Sequence, residues 1–497
     1  VYLWPTGEPD DRLDVSDDVV SMNGARSIED PMGSWSITLL PRTAVGKQTP
    51  SDIRRMQQLY QKIGINCVIS LGFEEDGGWG VGLVTTITRT RVTKGPKTGM
   101  SVSLSGAWMG RLLLQDNVTY ASITVPEFPS FLEKVEAVVG ANEPLVVAFA
   151  GAWGPPEPGQ KNSRDAVPTF LGQSVADAAN WILANAPSTR IPLFAKLTGG
   201  TGKPSDYIDT SFSITTWNDA RIWADQLSSY QGSVWGFLQA CVDLDFYEIF
   251  IEYLPEAGPM PSIHLVIRPK PYDEQGLNFA PTTEDPGISW ESLRTFCNEL
   301  ESHVIDFDEL FSEQMSYGDA QAFSLYKVTS RYDLIGNPES ESEGVSYPLV
   351  DTWTLPRFGV RPMESTLALL AADVYAKVQG DSDTDGAIRS QVFEYRNRLF
   401  NWYRISHYFE GGSMTVRGRD RFRPGDPVSC PWAIPTRGTE QGLRYYCTGV
   451  SWAWSYGDHY TSTLQLCRGH NSGMITWAKF QIFATSPESN PSNFAAV

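Results

Sequence analysis

The chain has 497 residues, 41% of them hydrophobic and 12% aromatic, with 43 Gly and 33 Pro; at roughly 150 residues per domain this is material for about three folded units, rich in turns and β-structure and not disordered. Its 58 acids against 39 bases give a net charge of −19, which excludes a global nucleic-acid coat or a basic membrane-surface protein. Apolar runs such as 144–150 and 367–372 fall far short of the roughly 18 residues a bilayer span requires, and the opening VYLWPTGEPDD lacks a basic region and an apolar core, so no signal peptide is expected there.

Residues 1–30 carry eight acids against Arg12 and Arg26 and read as an acidic, turn-like arm. Trp35, Ile37 and Leu39 alternate with Ser and Thr, which puts three large apolar groups on one face of a strand. A helix is predicted over 51–63, with Ile53, Met56, Leu59, Tyr60 and Ile63 at helical spacing and Ser51 as its cap. Strands are predicted at 66–72, 79–92 and 100–104, and several short strands around one helix imply a small barrel. The stretch 126–300 reads as mixed α+β. It has a buried run at 145–150, the loop GAWGPPEPG, helices at 175–185 and 217–230, and strands at 246–254 and 262–268. Residues 299–343 hold 11 acids against Lys327 and Arg331, with a strand around Phe323, Leu325, Tyr326 and Val328 and an acidic loop at 336–344. Two helices over 363–378 and 387–409 precede a return to strands at 413–419, 443–454 and 460–468, with Arg423-Pro424-Gly425-Asp426 as a type II turn.

Chemical motifs are scarce. In LTGGTGKPS, Leu197 stands where a phosphate loop needs its first Gly, and Pro204 replaces the hydroxyl while removing an amide, so a turn is expected. Asp243 and Asp245 have the spacing of a cation-binding pair, but nothing around them supplies a nucleotide site, and a solvated turn is favoured. Six widely spaced cysteines without a CxxC read as reduced, mostly buried thiols made in a cytosol, and the five histidines offer no pair at metal spacing. No GxSxG or HExxH occurs, and His407 has no acid patterned to orient it. Spacing selects no pair of carboxylates for glycan hydrolysis. No catalytic, cofactor-binding or metal-binding residue is therefore assigned.

Trp452 and Trp454 share one strand face, which fits a packed core or subunit interface better than a sugar-stacking platform. Residues 389–423 carry eight Arg, no Lys and only three acids, interleaved with the aromatics Phe393, Tyr395, Phe400, Trp402, Tyr403, Tyr408 and Phe409 among others. Fixed pairing with carboxylates is expected of them. The acids are those of 299–343, those of a neighbouring copy or partner, or DNA phosphates are met instead. Arg396, Arg398 and Arg404, with Trp452 and Trp454, are the candidate interface residues.

GGSMTVRGRDRFRPGDPV followed by GLRYYCTGVSWAWSYGDHYTSTLQLCRG resembles the closing hairpins of baseplate central hub proteins of contractile-tailed bacteriophages. The matching positions include Gly418, Pro424, Gly425, Asp426, Tyr445, Tyr446, Gly449, Gly457, Tyr460, Leu464, Arg468 and Gly469. SWSITLLPR, GLVTTITRTRV, VSLSGAWMGRLLLQDNV and RPKPY are similar to further pieces of that family, in the same order, whereas the acidic loop 336–344 and the chain beyond Arg468 have no counterpart in it. The resemblance implies an α+β, β-rich fold with two small β-barrel hub domains, an α+β middle domain and a helical insertion. On this division 1–125 is an arm and first barrel, 126–300 the middle domain, 301–335 with 408–470 a second, discontinuous barrel, 336–407 the insertion and 471–497 an extension. It also implies a non-enzymatic virion protein without cofactors, made in the host bacterial cytoplasm. Three copies would form a ring between a six-fold tail tube and a three-fold spike, with baseplate wedge or other hub proteins as further partners, DNA only in passage and no membrane insertion. A tail-associated cell-wall or glycan hydrolase, or a glycan-binding tail module, is the alternative.

Overall fold

The structure, a computed structural model, describes residues 1–40, 49–64, 67–73, 77–83, 91–95, 99–115, 117–119, 174–185, 193–194, 196, 202–209, 220–222, 231–254, 262–270, 302–329, 348–371, 374, 384–419, 422–435, 441–471 and 474. The buried run expected at 145–150, its Pro/Gly loop and the acidic loop 336–344 lie outside these residues.

In chain order, β1 (Tyr2–Trp4), β2 (Leu13–Asp14) and β3 (Val19–Ser27) come from the segment read as an arm. That expectation is corrected: Leu3 and Trp4 are core residues, because the acids sit in turns and 3₁₀ segments between apolar strand residues. β4 (Ser34–Leu39) buries Trp35, Ile37 and Leu39 on one face as its alternation requires. The helix Pro50–Lys62 follows. Thr49, not Ser51, caps it, accepting from the Asp52 amide while the Asp52 side chain accepts from the Thr49 amide, and Pro50 fills the first turn. β5 (Val68–Phe73), β6 (Gly77–Leu83), β7 (Arg91–Gly95), β8 (Gly99–Trp108) and β9 (Asn117–Thr119) complete the first β region.

The middle contributes a helix at Val175–Asn185, the short strands β10 (Ile208–Asp209), β11 (Ala220–Ile222) and β12 (Gln231–Ser233), the helix Val234–Ala240, and the hairpin β13 (Tyr247–Leu254) with β14 (Ser262–Pro269). The helix expected over 217–230 is a strand at its described part, β11, which pairs with a strand near residue 370. Beyond it lie β15 (His303–Val304), β16 (Leu310–Ser316), β17 (Leu325–Thr329), β18 (Leu349–Val350), β19 (Pro362–Thr366) and β20 (Leu369–Ala371). The helix expected over 363–378 is thus replaced, in its described part, by β19 and β20. Alternate residues of β19 are exposed, and it runs parallel to β17. The next helix spans Thr384–Tyr403, burying Ile388, Val392, Tyr395, Leu399 and Trp402 along one stripe. β21 (Glu410–Arg417), β22 (Pro427–Cys430), β23 (Leu443–Ser455) and β24 (Thr461–His470) close the described chain.

The expectation of two small barrels is corrected. Strands of both β regions, β1 to β8 from the first and β15, β16 and β21 to β24 from the second, belong to one open, 14-stranded sheet running β16-β21-β24-β23-β3-β4-β8-β6-β5-β1-β2, with β22, β15 and β7 branching from it. The join is β23 against β3, antiparallel from Gly449↔Ser27 to Ser455↔Ser21. An edge that closure of either region would have used is taken by the other. β16 does pair with β21, but β17 lies in a separate three-stranded sheet with β18 and β19. One hydrophobic core runs beneath the long sheet from Leu3 to Leu466, and a second, between the Thr384–Tyr403 helix and β17, is built around Tyr326, Leu399, Phe400 and Trp402.

Candidate functional site: a buried charged seam and an exposed sheet edge

Where β3, β8, β13 and β23 meet, Arg26 is buried in an aromatic cage. Its guanidinium carbon lies 4.7 Å from the Trp452 ring centre, 5.1 Å from Tyr253 and 5.8 Å from Trp108. Burial lowers its pKa to about 10, so the cation persists at neutral pH and is held by the ring faces. Trp452 is 1% exposed and donates its indole N–H to the Arg419 carbonyl at 3.3 Å. Trp454, on the same face, packs half-buried against the same core.

Beside the seam, Arg268 on β14 donates from Nε to Glu248 at 2.5 Å and from a terminal nitrogen to the Gly425 carbonyl at 2.6 Å. The Tyr446 hydroxyl donates to the other Glu248 oxygen. A buried Arg–Glu pair, each of whose carboxylate oxygens accepts a hydrogen bond, ties the β13–β14 hairpin to β23 and the 423–426 turn. Gly425 has φ +99, and a Cβ there would meet the Arg268 guanidinium at 2.5 Å. The turn glycine is therefore required both by backbone conformation and by the approach of that side chain. His303 Nε2 lies 2.9 Å from Asp426 one residue on.

The solvated turn expected at Asp243 and Asp245 is also corrected. Asp243 is 7% exposed; it accepts from the Tyr395 hydroxyl at 2.7 Å and from the Asp245 amide at 3.1 Å. The same hydroxyl is 3.0 Å from Asp245, which also accepts from Ser365. Lys270 donates to the Leu244 and Asp245 carbonyls at 2.8 and 2.9 Å. Burial, and then the neighbouring Asp245 charge, push Asp243 up to about 6. The sequence showed the pair but not Tyr395, 150 residues away, that buries it. A cavity of about 650 Å³ opens alongside, lined by Tyr247, Lys270, Trp402, Glu410 and Arg468 among others.

The arginine-rich segment is spent largely on rings. Arg396, 5% exposed, lies 4.9 Å from Phe393; Arg398 is 4.3 Å from Phe246 and Arg404 5.0 Å from Phe400. Carboxylate pairing occurs at Arg419 with Glu309, inside the acidic 299–343 stretch, and at Arg423 with Glu252 at 3.4 Å. Burial pushes the Cys67 and Cys430 thiols up to about 12. His407 is buried, stacked 5.5 Å from Trp353. Pro204 opens a four-residue helical turn. Among the described residues no three His, Cys, Asp or Glu are grouped to hold a metal, and no helix is long and apolar enough to cross a membrane.

Exposed large apolar side chains include Val304, Phe307, Phe311 and Ile434, with Phe307 edge-on to Trp432 at 5.4 Å. The sequence reading did not single out Phe307 and Phe311, although both stand out as aromatics inside an acidic run.

No family model matches the chain, and no curated protein does. Solved structures similar to it include a tail protein from Neisseria meningitidis MC58, 10% identical over 93% of this chain and 94% of that one, TM-score 0.41. A 43 kDa tail protein of prophage MuSo2 from Shewanella oneidensis is 10% identical over 90% and 94%, TM-score 0.41. An E. coli component of the type VI secretion system, described as structurally similar to T4 bacteriophage tail proteins, is 7% identical over 92% and 74%, TM-score 0.36. The chain is thus similar to structural tail and secretion-system proteins, at overlays too loose to assign it a role.

Proposed function

We propose that this chain is a baseplate central hub of a contractile tail, a non-enzymatic virion protein made in the host bacterial cytoplasm. Three copies form a ring between the six-fold tail tube and the three-fold spike, with wedge or other hub proteins at its rim and DNA only in passage. The observation that carries the reading is the β3–β23 seam, which sets two β regions side by side in one continuous sheet. Each copy then offers two stretches of sheet, and three copies offer six to a six-fold tube. The closing-hairpin motif supports the same reading, since its glycines and tyrosines sit at the seam: Tyr446 on Glu248, and Gly425 against Arg268.

The interface role of Arg396, Arg398, Arg404, Trp452 and Trp454 belongs to this proposal. Arg398, Arg404 and Trp454, which are half-exposed, would meet the neighbour, while Arg396 and Trp452, which are buried, would hold the faces that carry them. Native mass spectrometry with a peptidoglycan zymogram tests the whole. A species of about 165 kDa, three times the 55.1 kDa chain, that clears no cell wall is expected; a lytic monomer would overturn the reading.

A further inference from the structure

The turn before β13 is where the two cores meet. Phe246 lies edge-on to Tyr395 at 5.1 Å and to Trp402 at 5.4 Å, both on the Thr384–Tyr403 helix, and belongs with them to the second core. Tyr247, the next residue, packs against both cores, and Ile249, Ile251 and Tyr253 beyond it belong to the first.

The polar side of the same turn is short of protons. Tyr395 Oη is 2.7 Å from Asp243 Oδ1 and 3.0 Å from Asp245 Oδ2, and the Ser365 hydroxyl on β19 meets Asp245 Oδ2 as well. These are three contacts between a hydroxyl and a carboxylate, and two hydroxyls carry two protons. Ser365 is engaged by Asp245, so the phenol, with one proton, donates to only one of the two carboxylates it touches. A proton on the pair supplies the missing bond: one carboxyl donates to the phenol oxygen and the phenol donates to the other. Charge favours the same count. Reaching one oxygen at these distances keeps the two carboxylate oxygens within about 6 Å, the range in which one like charge disfavours the next.

The groups around the pair leave that count unchanged. Arg398, from the helix, hydrogen-bonds the Tyr247 hydroxyl and lies on the Phe246 ring. Lys270, after β14, donates to the backbone carbonyls of Leu244 and Asp245. Both cations temper the charge of the pair without bridging it. Burial holds Tyr247 and Tyr403 neutral, and Arg468, from β24, acts on Tyr403 and Lys270 behind them. Glu364 and its β17 neighbour Lys327 lie on the strand face opposite Ser365.

We infer that Asp243 and Asp245 hold one proton in common, and that this proton latches the turn before β13 to the Thr384–Tyr403 helix and β19, closed in acid and loosened when both carboxyls ionise. The titration belongs to the pair, not to either residue. The latch goes beyond the hub reading and stands without it. What it governs is local opening: the helix and β19 separate from the hairpin at a smaller cost once the pair carries two charges.

Hydrogen exchange of the full chain between pH 5 and 8, corrected for the intrinsic dependence of exchange on pH, tests it. Protection of 243–250, 362–366 and 384–403 is expected to fall about tenfold over that range, the span a carboxyl raised from 3.8 to about 6 allows, while the long sheet keeps its protection. Asp243→Asn is expected to abolish this dependence. Asp245→Asn separates sharing from burial alone: it removes the second charge, so the midpoint must move to lower pH. Circular dichroism checks that both variants fold, and the wild-type profile is a test by itself. A wild-type profile that is flat, or a loss spread evenly over the chain, overturns the latch. So does a pH dependence that survives in Asp243→Asn. An unchanged midpoint in folded Asp245→Asn overturns the shared proton.

Discussion

Asp243 shows how a single residue sets a pH dependence. It is enclosed by Asp245 beside it, Tyr395 and Arg398 from the Thr384–Tyr403 helix, Ser365 from β19 through Asp245, and Lys270 after β14. Its folded pKa, about 6, is above the ordinary carboxylate value of 3.8, so the folded state binds more protons than the unfolded one between those limits. Stability must then fall as pH rises through that window, and the loss is complete above about 6. Asp243→Asn keeps the acceptor for Tyr395 and removes the charge. It is expected to stabilise the protein by on the order of 1–3 kcal/mol at pH 8 and hardly at all near pH 4. Urea melts of both proteins between pH 4 and 8 check this, and parallel stability curves would contradict it. Gly425 makes a second point at this scale. Gly425→Ala meets a positive φ and the Arg268 guanidinium together, and should cost on the order of 1–3 kcal/mol in the same melts; no loss would show that the turn relaxes freely.

Among elements, the strands with clean alternation or a strong turn were legible. Trp35, Ile37 and Leu39 announced β4, the Pro-Gly turn announced the approach to β22, and the stripe from Ile388 to Trp402 announced the long helix. Segments whose partners are remote in sequence were not. Ala220–Ile222 and Leu369–Ala371 read as helical text until each supplies the other with a strand neighbour, a tertiary choice that overrides local propensity. The interface candidates were legible as an arginine and aromatic cluster, but the sequence could not show that Arg396 and Arg404 would lie on Phe393 and Phe400 of their own helix. The Arg268–Glu248 pair was invisible for the same reason, since Tyr446 and Gly425 reach it from more than 150 residues away. Removing one member tests how firmly it holds the hairpin to β23. Arg268→Met leaves Glu248 buried without its counter-charge and should cost about 3–5 kcal/mol, whereas Arg268→Met with Glu248→Leu should recover most of the loss. Equal destabilisation of the single and double variants would mean that packing, not charge, holds the joint.

At the scale of the molecule, the decisive feature is the pairing of β3 with β23, which no local pattern encodes and which turns two β regions into one open sheet. The expectation of closed barrels failed at this level because each region was read by itself. The same feature gives the hub reading its physical content: two β regions joined in one continuous sheet per copy. Electron microscopy of the purified protein tests that claim most directly. The account predicts three-fold rings with an open centre and six similar densities around it, while monomers, closed dimers or rings of any other order would contradict it.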